Sequence, residues 1–139
     1  MALAAYLLAV LRITQWPRLA DDSSLDALER FLVWAHAQGL PGAVDVVLVE
    51  AVANVVMFVP FGVLVPLVAG WRPGVVVGVG AAFSAAIELS QLVFFPERVA
   101  TVQDVVMNTL GAALGVAGLV LWRRWRADSP SPGPTPTGR

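Results

Sequence analysis

The chain has 139 residues, 58% of them hydrophobic and 14% charged, with a mean hydropathy of +0.75, whereas a soluble domain is about half apolar and a quarter charged; too few polar side chains remain to cover a water-facing surface, so the composition points to lipid as the solvent. A net charge of -1, with only the short cluster Arg123, Arg124 and Arg126, excludes a general attraction to nucleic acid. The absence of cysteine excludes disulfides and thiolate metal sites, and the lone His36 has no neighbour at ligand spacing, so no metal or cofactor is expected.

In chain order, the apolar stretch 2–14 is only ~20 Å long as a helix, against a ~30 Å bilayer core. It lacks the basic flank and cleavage pattern of a secretory signal and is expected to be a first transmembrane helix whose true start lies upstream. Ser24, then Leu25, Leu28, Leu32 and Ala35 on one face with Asp26, Glu29 and Arg30 opposite, predict an amphipathic helix ending near Gly39. Phe31 and Trp34 suit it to the membrane surface, with a cover for the bundle end as the alternative. Segments 46–70, 74–95 and 102–122 each reach the length of a span. Pro60 and Pro66 should kink the second span, and internal Gly and Pro are tolerated in lipid. The expectation is an all-α polytopic bundle of about four transmembrane helices plus one surface helix over residues 1–126. A Pro/Ser-rich tail, 127–139, should be disordered.

The Arg123, Arg124, Arg126 cluster after the last span places the C-terminus in the cytoplasm, and an even number of spans places the N-terminus there too, with Arg72. Arg18 and Arg30 would then lie outside, accompanied by Asp21, Asp22, Asp26, Glu29 and Asp45.

Charges inside a span cost roughly 2.5–3.5 kcal/mol at its centre and so face the bundle interior or a cavity. Here each acid is paired with an amide on the same helix face: Glu50 with Asn54, Glu88 with Gln91, and Asp104 with Asn108. Because successive spans are antiparallel, all three pairs fall near one membrane surface, with Asn54, Glu88 and Asn108 at depths of ~12, ~10 and ~9 Å. Arg98, in the connection 96–101, is the expected partner of Glu88 or Asp104. Gly111 and Gly115 form a small-residue face on the last span, and Gly78, Ala82 and Ala85 offer another on the third.

The run Asn54-Val-Val-Met-Phe58-Val-Pro60-Phe-Gly62, then Glu88-Leu-Ser-Gln91, Arg98, and Asp104-Val-Val-Met-Asn108-Thr-Leu-Gly111 followed by Gly115, resembles the VanZ-like family in order and spacing over about residues 5–122. Ile13-Thr14-Gln15-Trp16-Pro17 resembles the family's Thr-x-x-Pro closure after a shorter first span. The resemblance implies a multi-pass protein of the bacterial plasma membrane, in a family named after a factor conferring modest resistance to the glycopeptide teicoplanin.

Three functional readings stand. The first is binding or handling of a lipid-linked or lipophilic envelope component from the outer leaflet, with Arg98 engaging an anionic group and Glu50, Asn54, Glu88, Gln91, Asp104 and Asn108 completing the polar cluster. The second is a membrane-embedded enzyme with Glu88 as general acid or base, although no nucleophile, phosphate-loop or metal motif accompanies it and Ser84 and Ser90 lack a histidine. The third is a structural bundle, its polar layer holding helices or docking a partner.

Overall fold

The computed structural model describes residues 1–15, 22–94 and 101–128. The described residues form five helices: α1 (Ala2–Gln15), α2 (Asp22–Ala37), α3 (Val46–Ala69), α4 (Pro73–Phe94) and α5 (Val102–Asp128). Three of them, α3, α4 and α5, are long and apolar enough to cross a membrane, and α1 is a shorter apolar helix. At 1.5 Å per residue α1 rises about 21 Å, less than the ~30 Å core. The fold is thus an all-helical bundle of three long candidate spans with α1 packed beside them. Leu67, Leu89, Leu92, Val93, Leu110, Leu114 and Leu121 are all exposed on its outer surface, the inside-out pattern expected where hydrocarbon replaces water.

Local chemistry sets the ends of these helices. α2 starts at Asp22, two residues before Ser24, and stops in a Schellman arrangement: Gly39 takes φ +102°, its N–H donates to His36 O, and Leu40 N–H donates to Ala35 O. His36 Nε2, 3.1 Å from Val44 O, must donate, since a carbonyl can only accept, and so closes the α2–α3 connection. Along α2, Leu32 is buried while Phe31, Val33 and Trp34 are exposed. One edge of its apolar arc therefore meets the bundle and the other faces outward. Asp45 caps α3 by accepting from Leu48 N–H at 2.8 Å, and Gly70, at φ +67°, ends it.

α3 runs unbroken through Pro60 and Pro66. Proline at position 60 has no N–H to give the carbonyl one turn earlier, and beside that gap the Tyr6 hydroxyl donates to Met57 O at 2.9 Å, tying α1 to the middle of α3. Around this level lies the core: Val10, Phe58, Phe61, Val65, Val76, Ile87, Ala112 and Val116. Phe58, Phe61 and Phe83 pack ring to ring with centroids 5.9 to 6.2 Å apart.

α3 and α5 are the closest pair. A Cβ added to Gly111 would strike Val55 O, one on Gly115 would strike Val59 O, and one on Gly62 would strike Ala112 O. Positions on both helices rise together, so the two are parallel and touch backbone to backbone. α4 runs antiparallel to α5, with Gly80 against Ala112 and Ser84 against Asn108. The expected small-residue face of α4 needs correction: Gly78, Ala82 and Ala85 are exposed and Gly78 meets nothing within 4 Å. The buried face of α4 is instead Val76, Gly80, Ser84, Ile87, Glu88 and Gln91, which differs by a helical rotation because the polar residues must be covered. α5 extends past residue 122 to Asp128, where Arg126 stacks over the Trp122 ring at 4.5 Å. Of the expected disordered tail 127–139, residues 127 and 128 close α5 and 129–139 lie outside the described residues.

Candidate functional site: a polar layer at the start of α5

The glycine contacts bring α3 and α5 close enough for side chains of ordinary length to bridge them, and Asn54 Nδ2 donates to Asp104 Oδ1 at 2.6 Å. On the other side of α5, Asn108 Nδ2 donates to Ser84 Oγ on α4 at 2.8 Å. Both Asn108 and Ser84 are buried, at 3% and 0% exposure. One turn nearer the helix ends, Glu88 Oε2 accepts from the backbone N–H of Thr101 at 3.1 Å. A further turn along α4, Gln91 Nε2 donates to Thr14 O of α1 at 2.8 Å. Hydrogen bonds at successive depths therefore join α1, α3, α4 and α5.

Thr101 is the pivot of this layer. It precedes α5, and its Oγ1 accepts from Asp104 N–H at 3.2 Å, as an N-cap residue does three positions on. In a capping box the acidic residue at that third position reaches back to the N–H of the cap. Here that N–H is taken by Glu88 of α4, while Asp104 turns to Asn54 of α3. The box is thus shared among three helices, and both carboxylates sit at a helix N-terminus, whose partial positive charge compensates them. This answers how Glu88, 9% exposed, is accommodated so deep.

Of the residues expected here, Asn54, Glu88, Gln91, Asp104 and Asn108 are held by these bonds. Glu50 is exposed, one turn beyond Asn54, and is not drawn into the layer. Arg98 lies outside the described residues. Thr14, Ser84 and Thr101 were not expected as members. The Thr101-x-x-Asp104 spacing before an apolar run is a capping signal that could have flagged Thr101, whereas Thr14 contributes only a backbone carbonyl, which no sequence motif marks.

The described part of the site is rich in acceptors. Asn108 Oδ1 is buried with no hydrogen-bond partner among the described residues. Among the described residues no group of three or more His, Asp or Glu is arranged to hold a metal ion. The arrangement is suited to receiving donors, such as hydroxyl, amide or guanidinium groups, in a setting of low dielectric.

The Asn54–Asp104 bond is short and charge-assisted. A double-mutant cycle with Asn54→Ala and Asp104→Ala, read by unfolding in bilayers or mixed micelles, should give a coupling of about 1–2 kcal/mol, above the ~0.6 kcal/mol average for contacts between membrane helices. A coupling indistinguishable from zero would show that the two helices are positioned without it.

No curated protein matches the chain, and no solved structure does. The VanZ/LLP1 family, by contrast, matches residues 3–123, which include all five helices up to the basic end of α5 and every member of the polar layer, and the chain belongs to that family.

Proposed function

We propose that this protein binds an envelope component, a lipid-linked or lipophilic molecule reaching the bundle from the outer leaflet of a bacterial plasma membrane, and that the polar layer at the start of α5 receives its head. The observation that carries this reading is the set of acceptors around a helix N-terminus, with Glu88 and Asn108 buried, Asp104 half-buried and Asn108 Oδ1 unbonded among the described residues. Evolution of a membrane bundle for stability alone has cheaper solutions than two carboxylates and an orphaned amide oxygen at this depth. The register of Gly80 with Ala112 and Ser84 with Asn108 sets the first residue of α5 level with about Ser90. α4 continues roughly 6 Å past that level, to Phe94.

Arg98 is assigned the anionic group of the ligand. It stands three residues before Thr101 in the sequence, and its planar guanidinium suits a two-oxygen anionic group. The basic cluster after α5 is the reason for placing both termini in the cytoplasm and the layer in the outer leaflet. Lowered sensitivity to teicoplanin is a further proposal resting on family membership alone. A structural reading is favoured by one observation, that Asn54 with Asp104 and Ser84 with Asn108 tie α3, α5 and α4 to one another.

The two are separated by lipid-resolved mass analysis of protein purified from its native membrane, wild type beside Arg98→Lys, which keeps the charge and loses the planar fork. Binding predicts a co-purifying anionic lipid-linked species that falls about tenfold in the variant, with protein abundance unchanged. Identical lipid profiles at equal abundance would leave the structural reading in place.

A further inference from the structure

α1 is attached to the bundle at two points on different helices. Near its middle Tyr6 bonds to α3 through Met57 O, and at its end Thr14 O is held by Gln91 of α4. Fastened at its middle to α3 and at its end to α4, the helix leaves a wedge against α4. That wedge is a groove of about 620 Å³ open to the outer surface of the bundle, lined by Leu8, Leu11, Phe83 and Ile87, with Arg12 and Ser90. The polar layer faces the opposite side of α4, toward α5, so the groove does not depend on the function proposed for that layer.

The groove has a direction. Phe83 lies toward the bundle middle with the aromatic cluster. Ser90, seven residues and about 10 Å further along α4, lies one position from the Gln91 that holds the end of α1. Arg12, exposed, is two residues from the Thr14 that Gln91 binds. Its cation is thus at the membrane-surface end, and the aliphatic and aromatic walls descend from it toward the bilayer centre. Hydrocarbon below and one positive charge at headgroup level match the layout of an anionic lipid standing in its leaflet. A guanidinium has five N–H donors, so Arg12 can keep a protein partner and still receive a phosphate oxygen.

We propose that the α1/α4 groove is a binding site for an anionic phospholipid, one acyl chain lying between Leu8, Leu11, Phe83 and Ile87 and the phosphate on Arg12. The lipid fills the wedge that α1 leaves against α4.

The test uses the full chain in nanodiscs of phosphatidylcholine doped with either phosphatidylglycerol or phosphatidylcholine carrying a photoactivatable group in one acyl chain, with adducts mapped by peptide mass analysis. The phosphatidylglycerol probe should label α1 and α4 around Leu11 and Ile87 about fivefold more than the phosphatidylcholine probe, the factor that one arginine near a membrane surface supplies. Arg12→Ala should abolish that preference and Arg12→Lys should retain it. Ala86→Trp, which fills the groove without touching the charge, should lower labelling by both probes. Equal labelling by the two probes, a preference that survives Arg12→Ala, or labelling unchanged by Ala86→Trp would each overturn the proposal and leave only nonspecific boundary lipid. Because Arg98 is untouched throughout, failure here is distinct from failure of the polar-layer proposal.

Discussion

Gly62→Ala, Gly111→Ala and Gly115→Ala should each strip the protein of most of its stability, by about 3 kcal/mol apiece, the upper end of the overpacking range. The reason is what the new methyl group meets. At Gly111 and Gly115 it is a main-chain carbonyl of α3, and at Gly62 it is Ala112 O with Val116 N 2.8 Å away. A side-chain obstacle could rotate aside, but backbone cannot, so the helices must separate along their whole contact. Separation would also draw Asn54 from Asp104. The controls are Gly78→Ala and Gly118→Ala, where an added Cβ meets nothing within 4 Å. Those two should be neutral or stabilising by up to about 1 kcal/mol, the gain in helix propensity. Thermal unfolding in one detergent, all five variants side by side, reads the contrast. Equal loss at Gly118 and Gly115 would refute close backbone packing of α3 on α5.

This contrast also shows where sequence reasoning reaches its limit. The spacing of Gly111 and Gly115 marks a packing face, and periodicity assigns it to the same side of α5 as Asp104 and Asn108. Spacing does not say which helix will meet it, and α4 displays a similar row, Gly78, Ala82 and Ala85, that turns out to be exposed. What decides is the cost of leaving Ser84, Glu88 and Gln91 in lipid, which turns the polar side of α4 inward and the small-residue row outward. Glu50 illustrates the converse. Its i,i+4 relation to Asn54 is real, yet near the end of a span a carboxylate can reach water, so nothing compels it into the layer.

The counter-charge for the acids is the second limit. A buried carboxylate prompts a search for a cation, and Arg98 is the cation at hand in the sequence. Helix termini offer another answer, since the first N–H groups of α5 have no carbonyl within the helix to bond. Thr101 N–H is such a group, and Glu88 takes it. A donor of this kind belongs to every residue except proline and becomes visible only when the cap is located. Tyr6 is similar: its acceptor is the carbonyl of Met57, three positions before Pro60.

Glu88 is where the structural and functional readings part most sharply. Glu88→Leu should cost about 1–3 kcal/mol, because it takes the acceptor from the part-buried Thr101 N–H and leaves the polar neighbours of the buried Glu88 side chain facing an aliphatic group. Abundance in the membrane should fall accordingly. Glu88→Gln retains an oxygen that can accept the same bond and exchanges a charge-assisted contact for a neutral one, at about 1 kcal/mol, so this variant should accumulate normally. If the carboxylate serves only to complete the cap of α5, the glutamine variant keeps both its stability and the wild-type profile of co-purifying lipid. If its charge orients Arg98 on a ligand, the glutamine variant stays folded and loses the lipid as Arg98→Lys does. The ratio of retained lipid to retained protein in Glu88→Gln separates the two outcomes, because the hydrogen bond to Thr101 survives the substitution and the negative charge does not.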